Sequence, residues 1–248
     1  MKPQLAILAS SLALALSSCE KEQEKPKPES AAIPEPKSKT AEELIEADTP
    51  LLPIKKGDYW KYSVSVEIPA GVTSDGASAV EIDQVKTRTY LGKVKVDEKL
   101  PEVDAFDVVS PGEPVMRELV EITDTAVMMR GSILPEVLDS KPLWLDPPVP
   151  FAYAGMRAGQ GVAPLSIQEG ARKRGMKIVG REKVEVPAGE YMAVRMLMTG
   201  NDGDFEVRRT TWFVPQVGIV KEEKSRYRDE KLLFRELTVL SETNVKKD

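Results

Sequence analysis

The chain has 248 residues, with 35 Lys and Arg against 40 Asp and Glu, one Cys and no His. The absence of histidine excludes an imidazole base, a Ser-His-Asp triad and a His-ligated zinc or haem. A single cysteine excludes an intrachain disulfide and a Cys-ligated zinc or iron–sulfur cluster, so we expect no metal and no cofactor.

The N-terminus has the layout of a secretory signal peptide over residues 1–18. Lys2 precedes an apolar run from Leu5 to Leu16, which small residues follow. A permanent membrane-spanning helix needs about 20 such residues, more than this run contains. Leu16-Ser17-Ser18-Cys19 resembles the bacterial lipobox. The resemblance implies cleavage before Cys19, a diacylglyceryl group on its sulfur and a fatty acid such as palmitate on the new amine.

This lipidation would place the protein in the bacterial cell envelope. One acyl chain binds a membrane only marginally, whereas two or three hold a protein there stably. Glu20 stands after the cysteine. Its resemblance to the enterobacterial sorting rule, in which Asp at this position retains a lipoprotein, favours the outer membrane, with the protein facing the periplasm.

Residues 19–50 are predicted to form a lipid-anchored tether. Ten charged residues and four prolines stand in residues 20–39, so this stretch buries too little apolar surface to fold. Thr40-Ala41-Glu42-Glu43 fits a capping box and predicts a short helix over about residues 41–47. Residues 51–248 hold 31 acidic and 29 basic residues, which does not indicate nucleic-acid binding.

Residues 51–243 are predicted to form one mainly β domain, followed by a tail over residues 244–248. Apolar residues alternate with polar ones from Trp60 to Ile68, as in a half-buried strand. Short turns between successive strands indicate an antiparallel meander. The pattern predicts strands at 60–68, 79–90, 93–97, 104–109, 115–123, 125–131, 176–186, 190–199, 205–214, 217–227 and 231–241. Residues 132–175 are rich in Pro and Gly and predict an irregular connection across one end of the sheet, returning as a hairpin near Glu169-Gly170.

Two blocks carry a recognisable motif. They span residues 179–195, with Val184-Glu185-Val186-Pro187-Ala188-Gly189-Glu190-Tyr191, and residues 211–221, with Trp212-Phe213-Val214-Pro215-Gln216-Val217-Gly218-Ile219-Val220. In each, a Pro and a Gly end one strand and turn the chain into the next. The blocks resemble a group of bacterial lipoproteins and periplasmic proteins with the lipoprotein-carrier (Lol-type) architecture. That resemblance implies a sheet curled into an open half-barrel with a concave apolar face. Gln216 stands where the pattern usually has Gly.

Five residues are candidates to line that concave face. They are Trp60, Met192, Met196, Met198 and Trp212. Methionine adapts to varied apolar shapes and suits a ligand lining, but a Met stripe on a strand also serves as ordinary core packing. Asn201-Asp202-Gly203-Asp204 lacks the ligand spacing of a calcium loop and predicts a hairpin turn.

Three functions remain open from the sequence. The first is a membrane-anchored, non-enzymatic exported lipoprotein that binds a lipid, an acyl chain or an envelope protein on the concave sheet. The second is a structural or adaptor protein whose concavity is filled by its own side chains. The third is a hydrolase that uses two carboxylates, one of them with a raised pKa.

Overall fold

The computed structural model describes residues 43–46, 49–72, 80–167 and 172–245; for 162–167 and 172–174 this covers the backbone. These residues belong to one unit, Lys39–Asp248. Cys19, the predicted signal peptide and most of the predicted tether lie outside them. Within the described ranges, no helix has the length and apolar character needed to cross a membrane.

The described chain forms one antiparallel sheet of twelve strands, in the order β6-β5-β4-β3-β2-β1-β12-β11-β10-β9-β8-β7. The strands are β1 Tyr59–Ile68, β2 Val80–Val94, β3 Val103–Val109, β4 Met116–Ile122, β5 Ala126–Ile133, β6 Leu143–Tyr153, β7 Gly161–Ile167, β8 Arg172–Val186, β9 Gly189–Asp202, β10 Phe205–Val214, β11 Gly218–Arg228 and β12 Lys231–Thr243. The predicted antiparallel half-barrel is thus confirmed.

The sheet has to curl because its two edge strands are joined by a short connection. β6 and β7 lie at opposite edges, yet only residues 154–160 separate them in the chain. A flat sheet of this width would hold the edge strands about 50 Å apart, whereas eight residue steps span at most about 29 Å. The curl also brings the Phe151 ring of β6 to 5.8 Å from the Phe213 ring of β10, eight positions away in the strand order.

The prediction of an irregular stretch over residues 132–175 is wrong in two places. β6 and β7 both lie within it. Pro147, Pro148 and Pro150 interrupt the alternation of β6, and a strand with prolines is tolerated only at a sheet edge, which is the place that β6 occupies. β7 pairs with β8 as the predicted hairpin, and its turn lies outside the described residues.

The strands predicted at 79–90 and 93–97 are one strand, β2. Its pairing with β3 shifts register between Tyr90 and Gly92, where Gly92 has a φ of +86°. A bulge therefore replaces the predicted break, because glycine adopts this conformation without steric cost.

The predicted helix over residues 41–47 is wrong where the structure describes it, at residues 43–46. Glu43 pairs in an antiparallel bridge with Arg157, and the Leu44 amide donates to the Met156 carbonyl at 2.7 Å. Leu44 and Ile45 are buried in the core although they precede the predicted domain start at residue 51. Apolar burial against residues 154–160 thus takes precedence over the local capping signal.

We call residues 43–46 and 49–54 the strap. Its buried side chains are Leu44, Ile45, Leu51 and Leu52. The Gln216 amide donates to the Leu51 carbonyl at 2.9 Å, and the Arg181 side chain donates to the Leu44 carbonyl, from Nε at 2.8 Å. The strap therefore ties β8 and the β10–β11 turn to the connection between the edge strands.

Candidate functional site

The concave face of the sheet is apolar at one end and charged at the other. Trp60, Tyr62 and Val64 of β1 project to it and are buried together with Phe106 and Phe213. The Trp60 Nε1 donates to the Val217 carbonyl at 2.7 Å, so its polar edge is satisfied inside the core. This end is packed by the protein's own side chains.

Five charged side chains run across the same face farther along the strands. Tyr62 of β1 pairs with Leu240 of β12. Two residues farther along, Val64 pairs with Thr238, and Thr238 pairs with Glu222 of β11. Because side chains two residues apart share a face, Glu222, Lys224 and Glu236 point inward with Tyr62. The complete set is Lys86, Arg209, Glu222, Lys224 and Glu236, which we call the ion cluster.

Every member of the ion cluster has an opposite charge beside it. The Lys224 Nζ lies 3.0 Å from Glu222 Oε1 and 2.9 Å from Glu236 Oε1. The Arg209 guanidinium pairs with Glu222, and the Lys86 Nζ lies 3.4 Å from Glu236 Oε1. Two carboxylates thus share three cations in a chain across β10, β11, β12 and β2.

These contacts keep both carboxylates ionised. Burial by itself would raise the pKa of Glu222, but the charges of Arg209 and Lys224 outweigh it and lower that pKa to about 2. The pKa of Glu236 is likewise lowered, because Lys224 and Lys86 outweigh its burial. Burial opposes the charge of Lys224, yet the two carboxylates raise its pKa. Glu222 and Glu236 are therefore stable anions and poor proton donors.

A second ion pair lies between the ion cluster and the apolar end. The Arg88 Nε donates to Glu118 Oε2 at 2.8 Å, and the guanidinium carbon lies 3.5 Å from the centre of the Phe106 ring. Burial raises the pKa of Tyr62, which lies near this pair and Glu222. Leu52 of the strap and Phe213 line the remaining gap of about 40 Å³, so the strap closes this part of the face.

A larger cavity lies at the charged end, on β9 to β12. It has a volume of about 430 Å³ and is partly open to solvent. Three apolar side chains, Met198, Val207 and Phe234, contribute to its wall. Arg209, Lys224 and Arg226 stand beside them and give the wall a charged side. This volume lies within the range of about 300–1,000 Å³ that is typical of small-molecule sites.

The strand register explains why these side chains meet. Met198 of β9 pairs with Arg209 of β10, which pairs with Lys224 of β11. Two residues farther along each strand, and so on the same face, Val207 pairs with Arg226, which pairs with Phe234 of β12. Cross-strand partners share a face of the sheet, so two adjacent rows supply the apolar and the cationic parts of the cavity.

The structure places the five predicted lining residues in three environments. Met198 lines the cavity. Trp60, Met196 and Trp212 are buried in the core, and Trp212 donates from Nε1 to Glu182. Met192 is 55% exposed, although it lies on the same strand as the other two methionines. The structure thus brings one predicted residue to the cavity. Cys19 lies outside the described residues.

Sequence reasoning missed Arg209, Lys224, Arg226 and Phe234. Residues 221–226 of β11 read Lys-Glu-Glu-Lys-Ser-Arg, so neither face of the strand is apolar there. One face of a strand inside a sheet is normally apolar. Polar residues on both faces of β11 were therefore the signal in the sequence that could have indicated a charged site. In the described part of the chain, no group of three acidic side chains is arranged to hold a metal ion.

Two solved structures resemble this fold. A "putative exported protein with YmcC-like fold" from Bacteroides fragilis has 14% identity and a TM-score of 0.43, and the match covers 80% of this chain and 100% of that one. A "putative lipoprotein" from Parabacteroides distasonis has 16% identity and a TM-score of 0.43, with 79% and 99% covered. No protein-family model and no curated protein matches the chain. Its function therefore has to be argued from its own residues.

Proposed function

We propose that this protein is an exported lipoprotein, anchored through Cys19, that holds an amphipathic ligand in the cavity on β9 to β12 and catalyses no reaction. The ligand class is a lipid or another molecule with an acyl chain. The anchor is supported by the signal-like N-terminus and the lipobox-like Leu16-Ser17-Ser18-Cys19. The cavity of about 430 Å³ is the observation that supports ligand binding.

The cavity wall favours an occupant with an apolar part. Met198, Val207 and Phe234 line it, and the first of these is a flexible side chain that adapts to varied shapes. Removing apolar surface from water contributes about 25 cal/mol per Å². An acyl chain lying on these three residues would bury its own apolar surface and theirs, and this burial would favour binding in the cavity.

Native mass spectrometry of the purified protein tests this proposal. We expect the wild-type protein to carry a co-purified amphiphile, and Met198→Trp to lose it because the larger ring fills the cavity. Met192→Trp is the matched control, since Met192 lies on the same strand and is 55% exposed. A wild-type protein without bound amphiphile, or equal occupancy in Met198→Trp and wild type, would contradict ligand binding at this site.

The packing at the apolar end favours a second candidate, a structural or adaptor protein. Leu51 and Leu52 of the strap and Trp60 fill that end, and the cavity on β9 to β12 lies at the charged end instead. The same measurement separates the two functions, because an adaptor would purify without an amphiphile. The carboxylate-hydrolase alternative gains no support from Glu222 and Glu236, whose pKa values are lowered rather than raised.

A further inference from the structure

The cavity wall has an electrostatic polarity in addition to its apolar surface. The side chains of Lys224 and Arg226 are 37% and 46% exposed, whereas that of Glu222 is 8% exposed. Glu236 is 16% exposed and Arg209 is 31% exposed, so both carboxylates of the ion cluster lie deeper than Arg209, Lys224 and Arg226, the cations beside the cavity. Among the described residues that line the cavity, none is Asp or Glu and four are Lys or Arg, namely Arg208, Arg209, Lys224 and Arg226.

The ion cluster also leaves one charge uncompensated. Its three cations, Lys86, Arg209 and Lys224, share the two carboxylates Glu222 and Glu236, which leaves a net formal charge of +1. Both carboxylates stay ionised, so this excess is not changed by protonation near neutral pH. A positive charge in a partly enclosed site favours an anion there, because neighbouring low-dielectric walls screen it poorly.

Arg226 has donors to spare for a ligand. Its Nη2 lies 3.4 Å from Asp202 Oδ2, which is longer than a well-formed charged hydrogen bond. A guanidinium carries five N–H donors, so this contact leaves donors for another acceptor. Phe234 is the cross-strand partner of Arg226, so a head group at this arginine has an apolar surface directly beside it.

We propose that the ligand of this cavity is an anionic single-chain amphiphile. Its carboxylate or phosphate oxygens would accept hydrogen bonds from Arg226 and Lys224, and its chain would lie on Met198, Val207 and Phe234. A neutral apolar ligand would instead cover Lys224 and Arg226 without supplying an acceptor, which costs free energy. This inference rests on the proposed function, because it names the class of ligand for the same site.

Calorimetric titration of the purified protein with three amphiphiles of equal chain length tests the head group. The probes are dodecanoate, dodecyl phosphate and the neutral 1-dodecanol, each below the concentration at which it aggregates. We expect at least one anion to bind about tenfold or more tightly than the alcohol, the size of effect that one charged hydrogen bond supplies. Tighter binding of dodecyl phosphate would indicate a single-chain phospholipid as the source, and tighter binding of dodecanoate a free fatty acid.

A matched pair of arginine variants tests whether the preference for the anion arises at Arg226. Arg226→Gln is expected to lose the preference for the anion and keep the affinity for the alcohol. Arg235→Gln is the control, because Arg235 is similarly exposed at 45% but pairs with Glu223 on the opposite face of the sheet. Equal affinity for anions and alcohol would overturn the anionic head group, and an unchanged preference in Arg226→Gln would overturn its placement at Arg226. Both outcomes leave the proposed function standing. No binding of any probe would overturn both the anionic head group and the proposed function.

Discussion

Glu222 shows at the scale of single residues how a charge is kept inside this sheet. Removing a carboxylate from water is costly, and Arg209 and Lys224 offset that cost by direct pairing. Replacing Glu222 leaves the Arg209 guanidinium without its carboxylate partner, whereas Lys224 keeps Glu236. We therefore expect Glu222→Gln to lower the free energy of unfolding at neutral pH by about 3–5 kcal/mol, measured by urea denaturation.

The same residue predicts how stability depends on pH. The pKa of Glu222 falls from its ordinary 4.5 to about 2 in the folded protein. A lowered folded-state pKa contributes stability above the unfolded-state value, and this contribution is lost as the pH falls from about 4.5 towards about 2. The wild type should therefore lose more stability between pH 7 and about pH 3 than Glu222→Gln does.

Glu242→Gln is the control for both measurements. Glu242 of β12 forms an exposed pair with Lys61 of β1, at 2.8 Å. Exposed pairs contribute little to stability, so this variant should follow the wild type closely. An equal loss of stability on acidification in wild type and Glu222→Gln would contradict the role given to the ion cluster.

Local backbone requirements were predictable from the sequence, and the ion cluster was not. Pro187 and Gly189 predict a turn wherever they stand in a sheet, and β8 does end at Val186 and β9 begin at Gly189. Gln216 keeps the expected turn although it replaces a glycine, with a φ of +69°. Glu222 and Glu236 share Lys224 only because the register of β11 with β12 pairs Lys224 with Glu236, and the local sequence does not reveal that register.

At the scale of the strands, Gly131 determines how β5 meets the edge strand β6. Its φ is +145°, and a Cβ at this position would overlap the backbone oxygen of Leu143. The pairing of β5 with β6 shifts register between Met129 and Gly131, so the bulge depends on the missing side chain. Gly131→Ala should lower the free energy of unfolding by at least about 2 kcal/mol, since backbone atoms cannot move aside cheaply.

Gly175→Ala is the matched variant for that prediction. Gly175 also lies within a strand, β8, but a Cβ there meets nothing within 4 Å. Replacing a strand glycine by alanine in open space changes stability by less than about 1 kcal/mol. Equal urea midpoints for the two variants would show that the β5–β6 bulge tolerates a side chain.

The strands also show where pattern reading fails. The sequence pattern located β1, β3, β4, β5 and the strands from β8 onward. It did not locate β6, whose prolines are compatible with a strand because none of the described strands pairs with its outer edge. Position within the sheet, which the local sequence does not contain, decides whether a segment of this kind becomes a strand.

At the scale of the whole molecule, the strap occupies the gap between the two edge strands of the half-barrel. Residues 43–46 pair with residues 154–160 in the gap between the two edge strands, and Arg157 Nη2 meets Glu43 Oε1 at 2.7 Å. The resemblance to the carrier architecture implied the curl. It did not imply the strap, because the local sequence around Leu44 and Ile45 predicts a helix and does not show that these residues contact residues 154–160.

The strap directly follows the segment that is predicted to begin at the lipid on Cys19. If that lipid is the anchor, Cys19→Ser should move the protein from the membrane fraction to the soluble fraction and remove the acyl mass from its N-terminus. Fractionation with immunoblotting and mass spectrometry of the N-terminal peptide measure both. Lys21→Gln is the control, since it changes the tether and leaves the cysteine in place.

An uncleaved leader could also hold Cys19→Ser at the membrane through its apolar residues, so a second variant is needed. In it, residues 1–19 are replaced by a leader that is cleaved without lipid attachment. A charged and proline-rich tether, with Ile33 as its one large apolar residue over 20–39, has little apolar surface with which to bind a bilayer, so this variant should be exported and soluble. Its retention in membranes after a high-salt wash would show that the folded domain, rather than the lipid on Cys19, carries the membrane affinity.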